Sequence, residues 1–173
     1  MVTIYEKFSL AGKTSLVTGG AGLLGREFAQ TLAEAGSTVF LADVDRKSVE
    51  STMKSMKNIK GKVQGLVMDV THPESVNSAI NDITSFTGQL DVLVNSAALD
   101  PKFDPDHPQK MDNSFEDYPI KQWRQGLDVN LTGVFLVTQA ACRLMVKQGG
   151  GSIINLCSTY GLVGPDQRIY QNL

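Results

Sequence analysis

Cysteine is nearly absent: Cys142 and Cys157 are the only two in 173 residues. Two thiols cannot build a disulfide framework. They point to a reducing, cytoplasmic setting and read as small packing residues. Histidine is as scarce, with His72 and His107 far apart in the chain. No metal-ligand spacing involves them or the cysteines, so no metal site is expected. No stripe of Lys and Arg is visible, and the net charge is −2. That argues against a duplex nucleic-acid surface, whose affinity depends on clustered cations. No apolar run reads as long enough to cross a bilayer. Residues 1–13 lack the basic-then-apolar layout of a signal peptide. What remains is an ordinary globular composition, 42% hydrophobic and 20% charged, of one-domain length and able to bury a core.

The periodicity alternates between strand and helix. Strands are expected at 14–18 (TSLVT), 38–42 (TVFLA), 63–68, 90–94 (LDVLV) and 152–157 (SIINLC). Between them lies a helix over 23–35, with Leu24, Phe28, Leu32 and Ala35 on its apolar face and Gly36 at its C-terminal end. Another is expected at 46–56. A third opens on a capping box, Thr71-His72-Pro73-Glu74, and buries Val76, Ile80 and Ile83. Residues 121–147 read as mostly helical, with a break near 128–132. Such alternation implies βαβ crossovers and an α/β, doubly wound parallel sheet. The chain thus reads as one domain, 1–173, with a loop inserted at 99–119. That loop holds four of the six prolines and mostly acidic charges. It follows the fourth strand's carboxyl end, where ligands bind in such sheets. A solvated surface insertion is the competing reading.

The stretch Thr18-Gly19-Gly20-Ala21-Gly22-Leu23-Leu24-Gly25 follows a strand and opens a helix. Gly20, Gly22 and Gly25 satisfy G-x-G-x-x-G. Glycines there permit a tight turn, close backbone approach to a pyrophosphate and close helix–strand packing. The helix N-terminus adds N–H donors and a positive dipole end. The second strand runs into Asp43-Val44. A carboxylate at that point bonds adenosine ribose hydroxyls and repels a 2′-phosphate, which favours NAD over NADP. Asp45 is an alternative for that role, and Arg46 and Lys47 behind it keep NADP open.

At this point the residues resemble the short-chain dehydrogenase/reductase family, from Leu10 to about Gly164. Leu66 to Val70 (LVMDV) is similar to the family's third strand, and the resemblance implies that Asp69 and Val70 flank the adenine. Asn95-Ser96-Ala97-Ala98 resembles the N-N-A-G motif, which implies cofactor contacts from Asn95, Ala97 and Ala98, beside those from Gly19, Gly22, Leu23, Leu24 and Gly25. Asp128 to Phe135 (DVNLTGVF) resembles the D-V-N-x-x-G-x-F helix. Gly151 to Gly161 (GSIINLCSTYG) resembles the strand that delivers the catalytic serine. The resemblance implies a Rossmann-type fold and hydride transfer between NAD(P) and a carbonyl or alcohol. Ser158 would bond the reacting oxygen and Asn130 would hold a water in a proton relay. Taken singly, Ser158 also reads as a strand-end hydroxyl on local backbone, and Asn130 as a helix-break residue.

Two departures stand out. The spacing T-G-x-x-G-x-x-G resembles sugar-nucleotide epimerases and dehydratases, with Leu23 where ordinary members carry a glycine. The family's Y-x-x-x-K acid/base pair is missing: no lysine follows Arg168. Tyr170 stands near the usual distance from Ser158, but residues 160–172 resemble a subgroup with a longer loop there, which includes oxidoreductases of flagellin-glycan and surface-polysaccharide biosynthesis. The chain is therefore expected to be C-terminally truncated, its fold incomplete on that side, its fifth strand a bare edge, and the chain as given inactive. A non-catalytic dinucleotide-binding protein is the alternative. The expected partners are a small-molecule substrate, a sugar derivative among the candidates, and a second copy of the chain. By resemblance the helix over 128–147 makes a homodimer or homotetramer; no nucleic acid and no membrane are expected.

Overall fold

The five β-branched runs do form strands in the computed structural model, which describes residues 3–57, 59, 61–99 and 115–164. They are β1 (Thr14–Thr18), β2 (Thr38–Asp43), β3 (Lys62–Val67), β4 (Val92–Asn95) and β5 (Ser152–Asn155). All pair in parallel, in the order β3-β2-β1-β4-β5. The helices are α1 (Ile4–Lys7), α2 (Leu23–Glu34), α3 (Arg46–Ser55), α4 (Pro73–Thr87), α5 (Ile120–Leu127) and α6 (Val134–Lys147). This is a doubly wound α/β sheet, as the alternation predicts.

Strand side chains alternate between two cores, as a period of two requires. Leu16, Phe40, Ala42 and Leu93 face one side, where Val76, Ala79, Ile80 and Ile83 of α4 and Val137, Ala140, Ala141 and Met145 of α6 cover them. Val17, Val39, Leu41 and Val94 face the other, under Ala29 and Ala33 of α2 and Val49 of α3. All five residues of β1, the middle strand, are buried. At the amino ends of the strands, Asp91 ties three segments together. Its carboxylate accepts from the Thr14 N–H (2.9 Å) and the Lys13 ammonium (3.0 Å). Its own N–H donates to the Thr14 carbonyl, and its carbonyl accepts from Ser152.

Several expectations need correction. The buried face of α2 is Gly25, Ala29 and Ala33, while Leu24 is 55% exposed. Phe28 and Leu32 only flank the core. Small residues four apart let the helix lie close on the sheet, and a search for large apolar residues finds a neighbouring stripe instead. The capping box at Thr71 does not form: α4 starts at Pro73 with His72 as its cap and no side-chain bond. Thr71 is drawn off by Asp69, to which its N–H and hydroxyl both donate. The β3 strand starts one residue early, β4 begins at Val92, and β5 ends at Asn155.

The α-helix over 121–147 is interrupted where expected, not by a loop but by a π-turn, Asp128–Gly133, which joins α5 to α6 in one helical run. The continuous run, Ile120–Lys147, is 28 residues and contains an 18-residue window with a mean hydropathy of 1.4, so by length and composition it could cross a membrane, against the expectation. In the fold it lies along the sheet, with Val137, Ala140, Ala141 and Met145 in the core. The expected edge is there: β5 is the last strand among the described residues, with three of its four residues exposed. Most of the expected 99–119 loop lies outside the described residues, as does Tyr170; Phe115–Asp117 is a single 3₁₀ turn.

Ala29 tests the close seat of α2. Ala29→Leu is expected to destabilise by about 1–3 kcal/mol through overpacking. Leu24→Ser is expected to stay within about 0.5 kcal/mol, as at any open surface position. Urea denaturation of the two variants checks both.

Candidate functional site

Parallel pairing sends the carboxyl ends of all five strands to one edge of the sheet, and the expected site residues lie there. At the end of β1 the chain turns through Gly19 at φ +61°, a conformation that favours glycine. A Cβ on Gly19 would sit 2.7 Å from Ala97 Cα and 2.9 Å from the Ser96 carbonyl oxygen. A Cβ on Gly25 would strike the Gly19 carbonyl, and one on Gly22 would lie 3.1 Å from it. Gly22 closes the turn by donating to that carbonyl at 3.0 Å, and it caps α2 without any side-chain bond. Leu23 and Leu24 open the helix, both exposed, with no acidic residue in the first turn. So Gly19 and Gly25 each fill a place too close for a side chain, and Gly22 one where a Cβ would be tight. The result is a helix N-terminus whose first N–H groups have no partner within the helix and point out over the strand ends.

Thr18, not singled out from the sequence, holds this turn in place. Its hydroxyl oxygen accepts from the N–H groups of Ser96 and Ala97, each at 3.1 Å, and the residue is 1% exposed. A threonine at the strand's end, directly before the glycines, is the available signal.

Asp43 ends β2 beside the same turn. One carboxylate oxygen accepts from the Ala21 N–H at 3.1 Å and the other from Asp45 at 3.2 Å. Capping distinguishes the two acids. Asp45 is the N-cap of α3, accepting from the Lys47 N–H (3.0 Å) and the Ser48 hydroxyl (2.6 Å). The Ser48 bond, then the Lys47 N–H, holds the Asp45 pKa below the ordinary carboxylate value. Val44 between them is exposed.

Asp69 and Val70 follow β3. Val70 is buried and packs on Gly133 of the π-turn, where a Cβ would lie 2.7 Å from its Cγ2. Burial pushes the Asp69 carboxyl pKa up, but the Thr71 hydroxyl and N–H and the nearby His72 ring outweigh it, and the net shift is downward. The Asp69 carboxylate is therefore engaged within its own turn, at 2.6 Å from the Thr71 hydroxyl and 3.1 Å from His72 Nδ1.

Beyond β4, Ala97 touches the glycine turn and Ala98 is exposed. Asn95 instead points inward: it is 3% exposed, and its amide donates to Thr138 and Asn155. Asn130 sits in the π-turn. Its Oδ1 accepts from the Leu99 N–H (2.7 Å) and its Nδ2 donates to the Leu99 carbonyl (3.0 Å). π-turns inside helices are frequent at functional sites. Ser158 is exposed, three residues past β5. Its carbonyl accepts from the Gly161 N–H at 2.9 Å, which closes the short turn Thr159–Gly161. The structure thus brings the glycine turn against both Asp43 and Ala97, and Asn130 against Leu99. Ser158 shares their edge of the sheet. Among the described residues no group of His, Cys, Asp and Glu could hold a metal ion.

Residues 13–170 match the family model described as short chain dehydrogenase. The chain belongs to the short-chain dehydrogenase/reductase family. It is 36% identical over 159 residues to a 3-oxoacyl-(acyl-carrier-protein) reductase of Aquifex aeolicus, covering 91% of this chain and 60% of the relative. The crystal structure of NAD+-bound xylitol dehydrogenase superposes with a TM-score of 0.80 at 33% identity, covering 92% of this chain and 57% of that one. Actinorhodin polyketide ketoreductase, solved with NADPH, gives 0.79 at 26% identity, covering 88% and 56%. Short-chain dehydrogenases therefore include users of either nicotinamide cofactor. The chain spans about 60% of the length of the curated relatives it matches.

Thr18→Val is expected to cost about 2–4 kcal/mol, because two N–H groups lose their acceptor while the shape is kept. Thr18→Ser should recover most of that loss in the same denaturation measurement.

Proposed function

We propose that residues 1–173 act as one dinucleotide-binding domain, the cofactor-holding part of an NAD-dependent oxidoreductase. The observation that carries this is the closed glycine turn: Gly19 and Gly25, where a side chain would collide, and Gly22, where a Cβ would be tight, beneath an uncapped helix N-terminus. Such a cradle fits a pyrophosphate. The proposed contacts are Gly19, Gly22, Leu23, Leu24 and Gly25 at the phosphates and Asp43 and Val44 at the adenosine ribose. Asp69 and Val70 would lie at the adenine, and Asn95, Ala97 and Ala98 on the nicotinamide side. Ser158 would bond the reacting oxygen of the substrate, and Asn130 would orient a water beside it. A nicotinamide bound there supplies or takes up a hydride. NAD is favoured over NADP because the Asp43 carboxylate faces the turn and repels a 2′-phosphate, although Arg46 and Lys47 stand close behind.

The substrate is proposed to be a small carbonyl or alcohol compound. A sugar derivative fits the likeness to xylitol dehydrogenase and the proposed flagellin-glycan and surface-polysaccharide subgroup. A dinucleotide-binding protein that does not itself turn over is the second reading, and the turnover measurement below separates the two. A cytoplasmic setting fits the two free cysteines.

The proposed assembly is a homodimer or homotetramer through the α5–α6 helix, on which Ile120, Trp123, Leu127, Leu131 and Phe135 form an exposed apolar series at helical spacing.

Calorimetric titration is expected to show NAD+ binding more tightly than NADP+. Asp43→Ala should weaken NAD+ roughly tenfold, the value of a charge-assisted bond, and erase the discrimination. Absence of dinucleotide binding would sink the proposal. The 173-residue chain should give no hydride transfer with ketones or polyols, and robust turnover would point to Tyr170. In light scattering, Leu131→Glu with Phe135→Glu should convert oligomer to monomer; a wild-type chain that is already monomeric rules that interface out.

A further inference from the structure

The Asp69 carboxylate is crowded at one oxygen and nearly open at the other. Oδ1 accepts twice, from the Thr71 N–H at 2.8 Å and from the Thr71 hydroxyl at 2.6 Å. The backbone is occupied as well: the Asp69 N–H donates to Ser75 Oγ at 3.0 Å, and the carbonyl accepts from the His72 N–H at 3.3 Å. Oδ2 meets a single side chain among the described residues, His72 Nδ1 at 3.1 Å. An ionised carboxylate offers about four acceptor sites over its two oxygens, so Oδ1 is full and Oδ2 has about one left. The position of the protons decides what His72 does there. The Thr71 hydroxyl spends its one proton on Asp69 Oδ1, yet its oxygen lies 2.9 Å from His72 Nδ1. Nδ1 therefore faces two acceptors, Thr71 Oγ1 and Asp69 Oδ2, and itself carries the proton.

We propose that His72 is a positioning residue for recognition of the base: its Nδ1–H aims Asp69 Oδ2 so that the acceptor site left on that oxygen takes the exocyclic amino group of adenine. This rests on the dinucleotide reading above, which puts Asp69 at the adenine, and adds a second residue to that contact. With Oδ1 pinned by Thr71, the plane of the carboxylate can still turn, and the bond from His72 sets where Oδ2 points. An amino group donates to such an oxygen, whereas a ring carbonyl in the same place repels it. The side chain of His72 does nothing for the helix it opens, because α4 starts there without a side-chain cap. The pair also faces solvent, with the two side chains 72% and 37% exposed, so it adds little to stability. Removing the ring therefore reads out on binding and leaves the fold in place.

NAD+ and its analogue with hypoxanthine in place of adenine give the test, because they differ only on the edge of the base that carries the amino group. Calorimetry of the wild-type chain should show NAD+ binding the more tightly of the two. His72→Ala should cut that preference about fivefold, the order of one ordinary hydrogen bond, by weakening NAD+ and leaving the analogue nearly unchanged. His72→Asn offers an amide N–H near the place of Nδ1 and should restore the preference. An unchanged preference in His72→Ala, equal losses for both ligands, no rescue by His72→Asn, or a wild-type chain that binds the two ligands equally would each overturn the role of His72. In every one of these cases a wild-type chain that binds NAD+ leaves the dinucleotide reading standing. A wild-type chain that binds neither ligand removes both.

Discussion

Two backbone N–H groups, of Ser96 and Ala97, converge on one buried oxygen, Thr18 Oγ1. This contact fixes the end of β4 to the end of β1, so the turn after each strand is built against the other. Gly19 can approach Ala97 only because it carries no Cβ. Once that turn is set, Gly22 opens α2, and Ala21 comes within reach of Asp43 at the end of β2. Three strand ends are thereby aligned by short, part-buried polar contacts. The two cores, one on each face, hold the strands; the polar contacts decide where their ends point.

On the other side the arrangement depends on a helix that changes its winding. The π-turn at Asp128–Gly133 brings the Asn130 amide to the backbone of Leu99 and lets Gly133 lie against Val70. An unbroken α-helix of the same length would present a different set of residues at that level. Its continuation, α6, keeps Val137, Ala140, Ala141 and Met145 on the sheet. One irregular turn therefore serves both the packing of the helix and the placement of a polar side chain.

The parts legible in the sequence were those set by neighbours in the chain. The β-branched runs became strands, Val76, Ile80 and Ile83 faced the core, and the glycine spacing marked the turn. The parts that were not legible depend on partners far away. The buried stripe of α2 is glycine and alanine, which a search for large apolar residues passes over. Thr71 has the residue type and spacing of a cap, yet Asp69 competes for it successfully. Asn95 looks like the start of a cofactor loop, but its acceptors lie 43 and 60 residues further along the chain. Asp43 and Asp45 are equivalent in the sequence, and only capping geometry separates them.

Asp91 stands at the opposite edge of the sheet from all of this. It ties the starts of β1 and β5 through its carboxylate and both backbone groups, with Lys13 closing the cluster. No residue of the proposed site is among its partners. Anchorage and the proposed site thus occupy opposite rims of one sheet, with the hydrophobic cores between them. A substitution at one rim therefore leaves the hydrogen bonds of the other intact, so the fastening and the proposed site can be altered separately.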